Sequence, residues 1–206
     1  MKVIFAPSGH AVILPDTALE LAQSYGTGMM DASELLHLAG TLACYPWDKG
    51  GIVVEIGAYE GGTTVFMARI LTLLGHRVPI VSIDPFERAQ ADVGNPQGHY
   101  AVYLERIARE GVADTCMPLV AFSQDAAPVV PERIAVLIVD GSHHYEQVTQ
   151  DLALYAPKVL PGGLIFIDDY DPLYPGVVRA TDEYFIGSPA FRILHQTYFV
   201  VAQRVA

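Results

Sequence analysis

Basic residues are scarce in this chain, and so are cysteines and long apolar runs. Its 206 residues hold 12 Lys and Arg against 23 Asp and Glu, a formal charge of −11. A surface that tracks nucleic-acid phosphates or an anionic bilayer needs basic stripes, so neither partner is expected. The two cysteines, Cys44 and Cys116, lie far apart without a CxxC spacing. That excludes a disulfide framework and fits free thiols in a reducing compartment. No apolar run approaches the roughly 18 residues of a membrane helix. Near the N-terminus Pro7, Gly9 and His10 interrupt the apolar stretch, and one Lys makes a poor signal-peptide start. The expectation is a soluble cytoplasmic protein. Charged residues make up only 17% of the chain and apolar ones 51%, enough for one sizeable buried core.

Residues 1–50 and 51–206 have different textures. In the first segment, Thr17-x-x-Glu20 and Asp31-x-x-Glu34 both resemble capping boxes opening short helices, and Tyr45-Pro46 ends the second helix. This segment is expected to cap the open end of a sheet, and its apolar helices leave pairing with a second copy open. From Gly51 onward, strands and helices alternate. Strands are expected at 52–56, 79–83, 117–122, 134–139 and 164–167, with helices at 63–74, 99–110, 145–159 and 177–185. Two closing strands follow at 191–195 and 198–202. Pro161-Gly162-Gly163 reads as a helix stop. The alternation implies an α/β fold with a doubly wound, mostly parallel sheet and an antiparallel edge.

In such sheets ligands sit beyond the carboxyl ends of strands, where the strand order reverses. The first of these ends reads Glu55-Ile-Gly-Ala-Tyr-Glu-Gly-Gly-Thr63. Gly57 permits a tight turn and close approach of backbone to ligand. Gly61 and Gly62 open a helix whose free N–H groups favour an anion such as an amino-acid carboxylate. The spacing is G-x-x-x-G, unlike the G-x-G-x-x-G of nicotinamide binders. Asp84, at the second strand end, is placed to accept ribose hydroxyls or to cap its own turn. Ser123-Gln124-Asp125 after the third suits either an adenine edge or a plain turn.

Asp140 ends the fourth strand and Asp168-Asp169 the fifth. Adjacent parallel strands bring these three carboxylates together, where they repel unless one is protonated or a cation neutralises them. An all-oxygen donor set suits a hard ion, Mg²⁺ above all. The alternative is loop capping, or pairing with Arg179. His143 and His144 follow directly, and either could take a proton from a hydroxyl or serve as a helix-start histidine. His10, His37, His76, His99 and His195 show no metal-ligand spacing and read as structural or surface groups. Tyr59, Tyr170, Tyr174 and Trp47 are candidates to line the pocket.

The 55–63 stretch resembles the first motif of catechol-type O-methyltransferases, and Ser123-Gln124-Asp125 resembles their adenine-side motif. Val139-Asp-Gly-Ser-His-His-Tyr145, Asp151-Leu, Leu160-Pro-Gly-Gly163 and Asp168-Asp-Tyr170 are similar to a bacterial family. That family includes macrolide-sugar O-methyltransferases and cephalosporin hydroxylase-like proteins. The similarity covers about residues 50–205 and implies a class I S-adenosylmethionine-dependent methyltransferase. The cofactor set it implies is Glu55, Gly57, Ala58, Tyr59, Gly61, Thr63, Asp84, Ser123, Gln124 and Asp140. Gly57, Ala58, Tyr59 and Thr63 would lie beside the methionine part, Asp84 at the ribose, and Ser123 and Gln124 at the adenine. It also supports Mg²⁺ on Asp140, Asp168 and Asp169. In catechol-type enzymes a lysine stands three residues beyond the metal aspartate, where this chain has His143. The expected reaction is methyl transfer to a hydroxyl of a small molecule, a sugar or a phenolic or polyketide-type acceptor. Specificity is expected from residues 1–50 and from the loops at 86–98 and 170–177. The rivals are a metal-independent methyltransferase with a histidine base, a hydroxylase-like oxidoreductase on the same fold, and a binding module without chemistry.

Overall fold

The computed structural model describes residues 2–5, 11–26, 28–86 and 98–205. His10 and nearly all of the 86–98 loop lie outside the described residues. The chain runs β1 (Lys2–Phe5), β2 (Ala11–Leu14), α1 (Asp16–Tyr25), α2 (Ala32–Cys44), β3 (Ile52–Ile56), α3 (Gly62–Leu73), β4 (Ile80–Asp84) and α4 (His99–Arg109). It continues with β5 (Cys116–Val120), α5 (Ser123–Ala126), β6 (Ile134–Val139), α6 (Tyr145–Tyr155), β7 (Val159–Ile167), α7 (Pro175–Phe185), β8 (Phe191–Gln196) and β9 (Val200–Arg204). Among the described residues, no helix is long and apolar enough to cross a membrane.

Seven strands form one sheet in the order β5-β4-β3-β6-β7-β9-β8. Pairings from β5 to β7 are parallel, and β9 joins β7 and β8 antiparallel, as the sequence predicts. Every residue of β6 is buried, as befits a central strand with helices on both faces. Its side chains divide between two cores. Val136 and Ile138 pack with α1–α4, whereas Ile134, Leu137 and Val139 pack with α6 and α7. From the first fifty residues, Leu14, Ala18, Ala22, Leu35, Leu38 and Leu42 share the first core with α3 and the sheet.

Several local expectations change. The helix expected through Val159 ends at Tyr155, and β7 starts at Val159, well before Leu164. Pro161-Gly162-Gly163 lies inside that strand, at a register shift against β6. A Cβ on Gly163 would stand 2.6 Å from Val159 Cγ1 and 2.9 Å from Ala135 O, so the glycine accommodates an irregularity and does not end a helix. The Thr17–Glu20 box does not form, because Pro15 is the N-cap and α1 begins one residue before Thr17, with no side-chain cap. The Asp31–Glu34 box does form, with both reciprocal bonds. The β1–β2 hairpin was not expected from the sequence. Trp47 sits five residues before β3, its indole bonded to Leu42 O and packed on Tyr45 and His76. That is the amino end of the sheet, so it does not cover the carboxyl-end site.

The strand order reverses between β3 and β6. There Gly57, with φ of +90°, passes so close to the end of β6 that an added Cβ would lie 1.9 Å from Asp140 O. Both the left-handed backbone and the overlap forbid a side chain. Gly57→Ala is therefore expected to lose on the order of 3 kcal/mol of stability in urea unfolding. A wild-type midpoint would show that this turn is not fixed by the contact.

Candidate active site

The glycine turn is tied to the next strand end by one carboxylate. Asp84 Oδ2 accepts from Ala58 N at 3.0 Å and Tyr59 N at 2.8 Å, while Oδ1 accepts from Phe86 N at 2.6 Å. The aspartate thus caps its own turn and fixes its neighbour's, and Oδ1 keeps lone-pair capacity for a hydroxyl. Tyr59 is half exposed and holds a φ of +47°, a conformation that costs a non-glycine residue about 1–2 kcal/mol. Gly61, also left-handed, lies where a Cβ would strike the Tyr103 ring at 2.7 Å. Thr63 is in the first turn of α3, half-buried beside it.

Glu55 faces away from solvent. It is 1% exposed, and its Oε2 accepts from Thr64 Oγ1 at 2.5 Å and Ser82 Oγ at 2.8 Å. Burial pushes its carboxyl up to about 7, against the partial offset of those two hydroxyls. Ser123 and Gln124 open the one-turn α5 at the end of β5. The Ser123 hydroxyl donates to the buried Asp151, and Tyr155 OH donates to Ser123 O at 2.6 Å. Helix α6 therefore holds this corner, while Gln124 remains exposed. Burial raises the Asp151 carboxyl to about 6.

Beside the glycine turn, on the next strand ends, lie the acids. Val139 pairs with Ile167, so Asp140 and Asp168 leave adjacent strand ends together. One carboxylate oxygen from each of Asp140, Asp168 and Asp169 falls within 4.8 Å of the others. Asp169 takes a φ of +57° to turn its side chain there. Burial, then Glu34 and Asp169, raise Asp168 to about 7; burial, then Asp168 and Asp169, push Asp140 well above the carboxylate range. Asp168 Oδ1 is buried with no hydrogen-bond partner among the described residues. Arg179 does not neutralise the group: it pairs with Glu183 at 2.9 Å and lies 4.0 Å over the Tyr145 ring. An unpartnered buried carboxylate oxygen beside two more acids fits a hard divalent cation.

His143 Nε2 lies 2.7 Å from Asp169 Oδ2, and its ring packs on Tyr174 at 4.2 Å. A carboxylate only accepts, so Nε2 carries the proton and Nδ1 is the basic nitrogen. His144 is the exposed N-cap of α6, and its backbone N–H donates to Ser142 Oγ at 3.2 Å. Tyr170 is held by its hydroxyl, which donates to Asp182 at 2.8 Å and accepts from Gln196 at 2.6 Å. It borders a groove of about 690 Å³ shared with Pro172, Pro175, Val178 and Thr197.

Two further residues stand beside these groups without any local sequence signal. Glu34, the capping-box acid of α2, adds its charge to Asp140 and Asp168, so the start of α2 reaches the acidic edge. His99 is 4% exposed, bonds Glu60 and packs against Tyr59. The capping-box pattern marked Glu34 only as a helix start, and nothing around His99 set it apart.

Residues 54–170, more than half of the chain, match a family described as a methyltransferase domain, and the chain belongs to that family. A tetracenomycin rhamnosyl 4'-O-methyltransferase from Streptomyces olivaceus is 32% identical over 140 residues, 58% of this chain and 53% of that protein. Mycinamicin III 3''-O-methyltransferase from Micromonospora griseorubida is 30% identical over 156 residues, 65% of this chain and 60% of that protein. The chain thus spans between half and two thirds of the length of these relatives. The solved O-methyltransferase NovP superposes with a TM-score of 0.72 at 22% identity, covering 86% of this chain and 82% of its own.

Glu55 generates a pH prediction. Folding raises its pKa from 4.5 to about 7, so within that window the native state binds a proton the unfolded chain has released. The stabilisation is complete below the lower value and is lost as pH rises through the upper one. Glu55→Gln should flatten the slope between pH 4.5 and 7, with the variant gaining on the order of 2–3 kcal/mol relative to wild type at pH 8. Parallel pH profiles for the two proteins would show the carboxyl to be unperturbed.

Proposed function

We propose that the protein transfers the methyl group of S-adenosylmethionine to a hydroxyl of a small-molecule acceptor, and that a Mg²⁺ ion takes part. One observation carries the reading: the glycine turn and the three-acid cluster meet at the single point where the strand order reverses. Similar folds solved with the donor or its demethylated product bound support the choice of cofactor. In this reading the turn at Gly57, Ala58 and Tyr59, with Gly61 and Thr63, receives the methionyl end. Asp84 receives the ribose, Ser123 and Gln124 the adenine, and Asp140 borders both halves of the site.

Asp140, Asp168 and Asp169 would hold the cation, which would lower the pKa of the acceptor hydroxyl and fix its direction. The chain's own part is alignment and proton handling. Alignment would hold the acceptor oxygen in line with the donor's methyl group, at attack distance. The hydroxyl proton goes to His143 Nδ1, and Asp169 steadies the imidazolium through Nε2. His144, exposed at the rim, is the second candidate for proton transfer. The relatives named for methylating a rhamnosyl-tetracenomycin and mycinamicin III favour a glycosylated acceptor here. The groove beside Tyr170, walled by Pro172, Pro175 and Val178, suits the less polar body of such a molecule. The short His143–Asp169 contact supports a second reading, in which the dyad acts without a metal.

Calorimetric titration of S-adenosylhomocysteine with Mg²⁺ and with EDTA, combined with methyl-transfer assays, separates these cases. Binding in both media with turnover only in Mg²⁺ is the expected result. Turnover that survives EDTA would select the metal-free dyad, and no binding in either medium would overturn the methyltransferase reading. Asp168→Ala should lower kcat/KM by roughly a thousandfold while still binding S-adenosylhomocysteine. Mg²⁺ at a hundredfold excess over its Kd should stabilise the wild type by about 3 kcal/mol and leave this variant unmoved.

A further inference from the structure

Outside the acids, a buried histidine stands against the glycine turn. His99, the first residue of α4, is 4% exposed and its Nε2 has no hydrogen-bond partner among the described residues. Its Nδ1 lies 3.1 Å from Glu60 Oε1, and its ring lies 4.3 Å from that of Tyr59 at a 39° tilt. Tyr59 and Glu60 are successive residues of the glycine turn, so one imidazole grips the turn by a ring face and by a hydrogen bond. Glu60 also faces Arg106 at 3.6 Å, about two turns further along α4. A histidine held this way has its proton on Nδ1, because the carboxylate can only accept.

The turn needs such a grip. Tyr59 sits at φ +47°, and a strained non-glycine residue persists only where its surroundings over-determine it. One restraint is the Asp84 carboxylate on its N–H, and another is the His99 ring. A free Tyr59 would relax toward ordinary backbone and carry Ala58 N–H with it. Burying an imidazole costs free energy, and that cost is offset where the ring holds a functional turn.

We propose that His99 is a positioning residue of the donor pocket, acting through Tyr59 and Glu60 to preorganise the turn that receives the methionyl end of S-adenosylmethionine. This deepens the cofactor reading above and rests on it. A preorganised pocket binds more tightly because less ordering remains to be done on binding. His99 touches no reacting atom, so its loss acts on donor affinity and not on the chemical step.

The test compares wild type with His99→Ala, His99→Phe and His99→Gln by calorimetry with S-adenosylhomocysteine and by steady-state kinetics. His99→Ala is expected to weaken binding about tenfold and to raise KM for the donor by a similar factor, with kcat retained at saturation. His99→Phe keeps the ring face and His99→Gln keeps a donor for Glu60, so each should recover part of the loss. Wild-type affinity in a folded His99→Ala protein overturns the proposal, as does a fall in kcat with affinity unchanged. A lower melting temperature with unaltered KM would make His99 merely structural, which also overturns it. If His99→Ala does not fold, unchanged affinity in both milder variants overturns it equally. Absence of binding by the wild type would instead remove the cofactor reading on which the proposal stands.

Discussion

The contact between the Gly57 turn and the backbone of Asp140 sets the geometry of everything around it. Strands β3 and β6 lie side by side but belong to opposite halves of the winding, which leaves a crevice at their shared carboxyl edge. The crevice left there is narrow, because the turn packs directly on the end of β6. Asp140 N–H donates to Ile56 O at 2.9 Å and Asp168 N–H to Val139 O at 3.1 Å, extending the ladder past the strands' last side chains. Three strand ends are thereby locked in register before any functional side chain is placed.

Onto that rigid edge the chain loads groups that do not favour folding. Asp140, Asp168 and Asp169 crowd one another, Glu34 adds a fourth carboxyl nearby, and Asp168 has an oxygen with no partner among the described residues. Tyr59 and Asp169 hold left-handed backbone within the same rim. Concentrations of strain and unpaired charge persist only where packing elsewhere is strong. The fully buried β6 and the two cores on either side of it supply that packing. The rim is what a ligand with positive charge would relax, which is why the cluster is better explained by function than by stability.

The sheet and its site were legible to different depths. Runs such as Ile52–Ile56 and Ile134–Val139 are read easily, because a strand buried on both faces leaves an unbroken β-branched signature. The same runs place Asp84, Asp140 and Asp168-Asp169 at strand ends, where each run stops. What local pattern could not convey is contact across the fold. Glu34 and His99 reach the site from α2 and α4, and their neighbours in sequence carry no sign of it. Pro161-Gly162-Gly163 failed for a related reason: its residues stop a helix in isolation, but pairing with β6 makes them a strand irregularity. The N-terminal hairpin was overlooked because two four-residue runs separated by Pro7 and Gly9 resemble an interrupted apolar leader as much as paired strands.

Asp84 illustrates how one carboxylate serves both fold and site. Three backbone N–H groups converge on it, two from the turn of the neighbouring strand and one from its own. Such bonds to a charged acceptor are stronger than neutral ones. The same charge that fastens the turn is then available, on the less used Oδ1, to a hydroxyl arriving in the crevice. Removing it would loosen Ala58 and Tyr59 and, in the proposed reading, would remove a ribose acceptor as well, so truncation alone does not separate the two. His99 is different: it shares in holding the turn, yet it is buried and meets it through the ring of Tyr59 and the carboxylate of Glu60. In the proposed reading Asp84 both stiffens the turn and meets the ligand, whereas His99 only stiffens it.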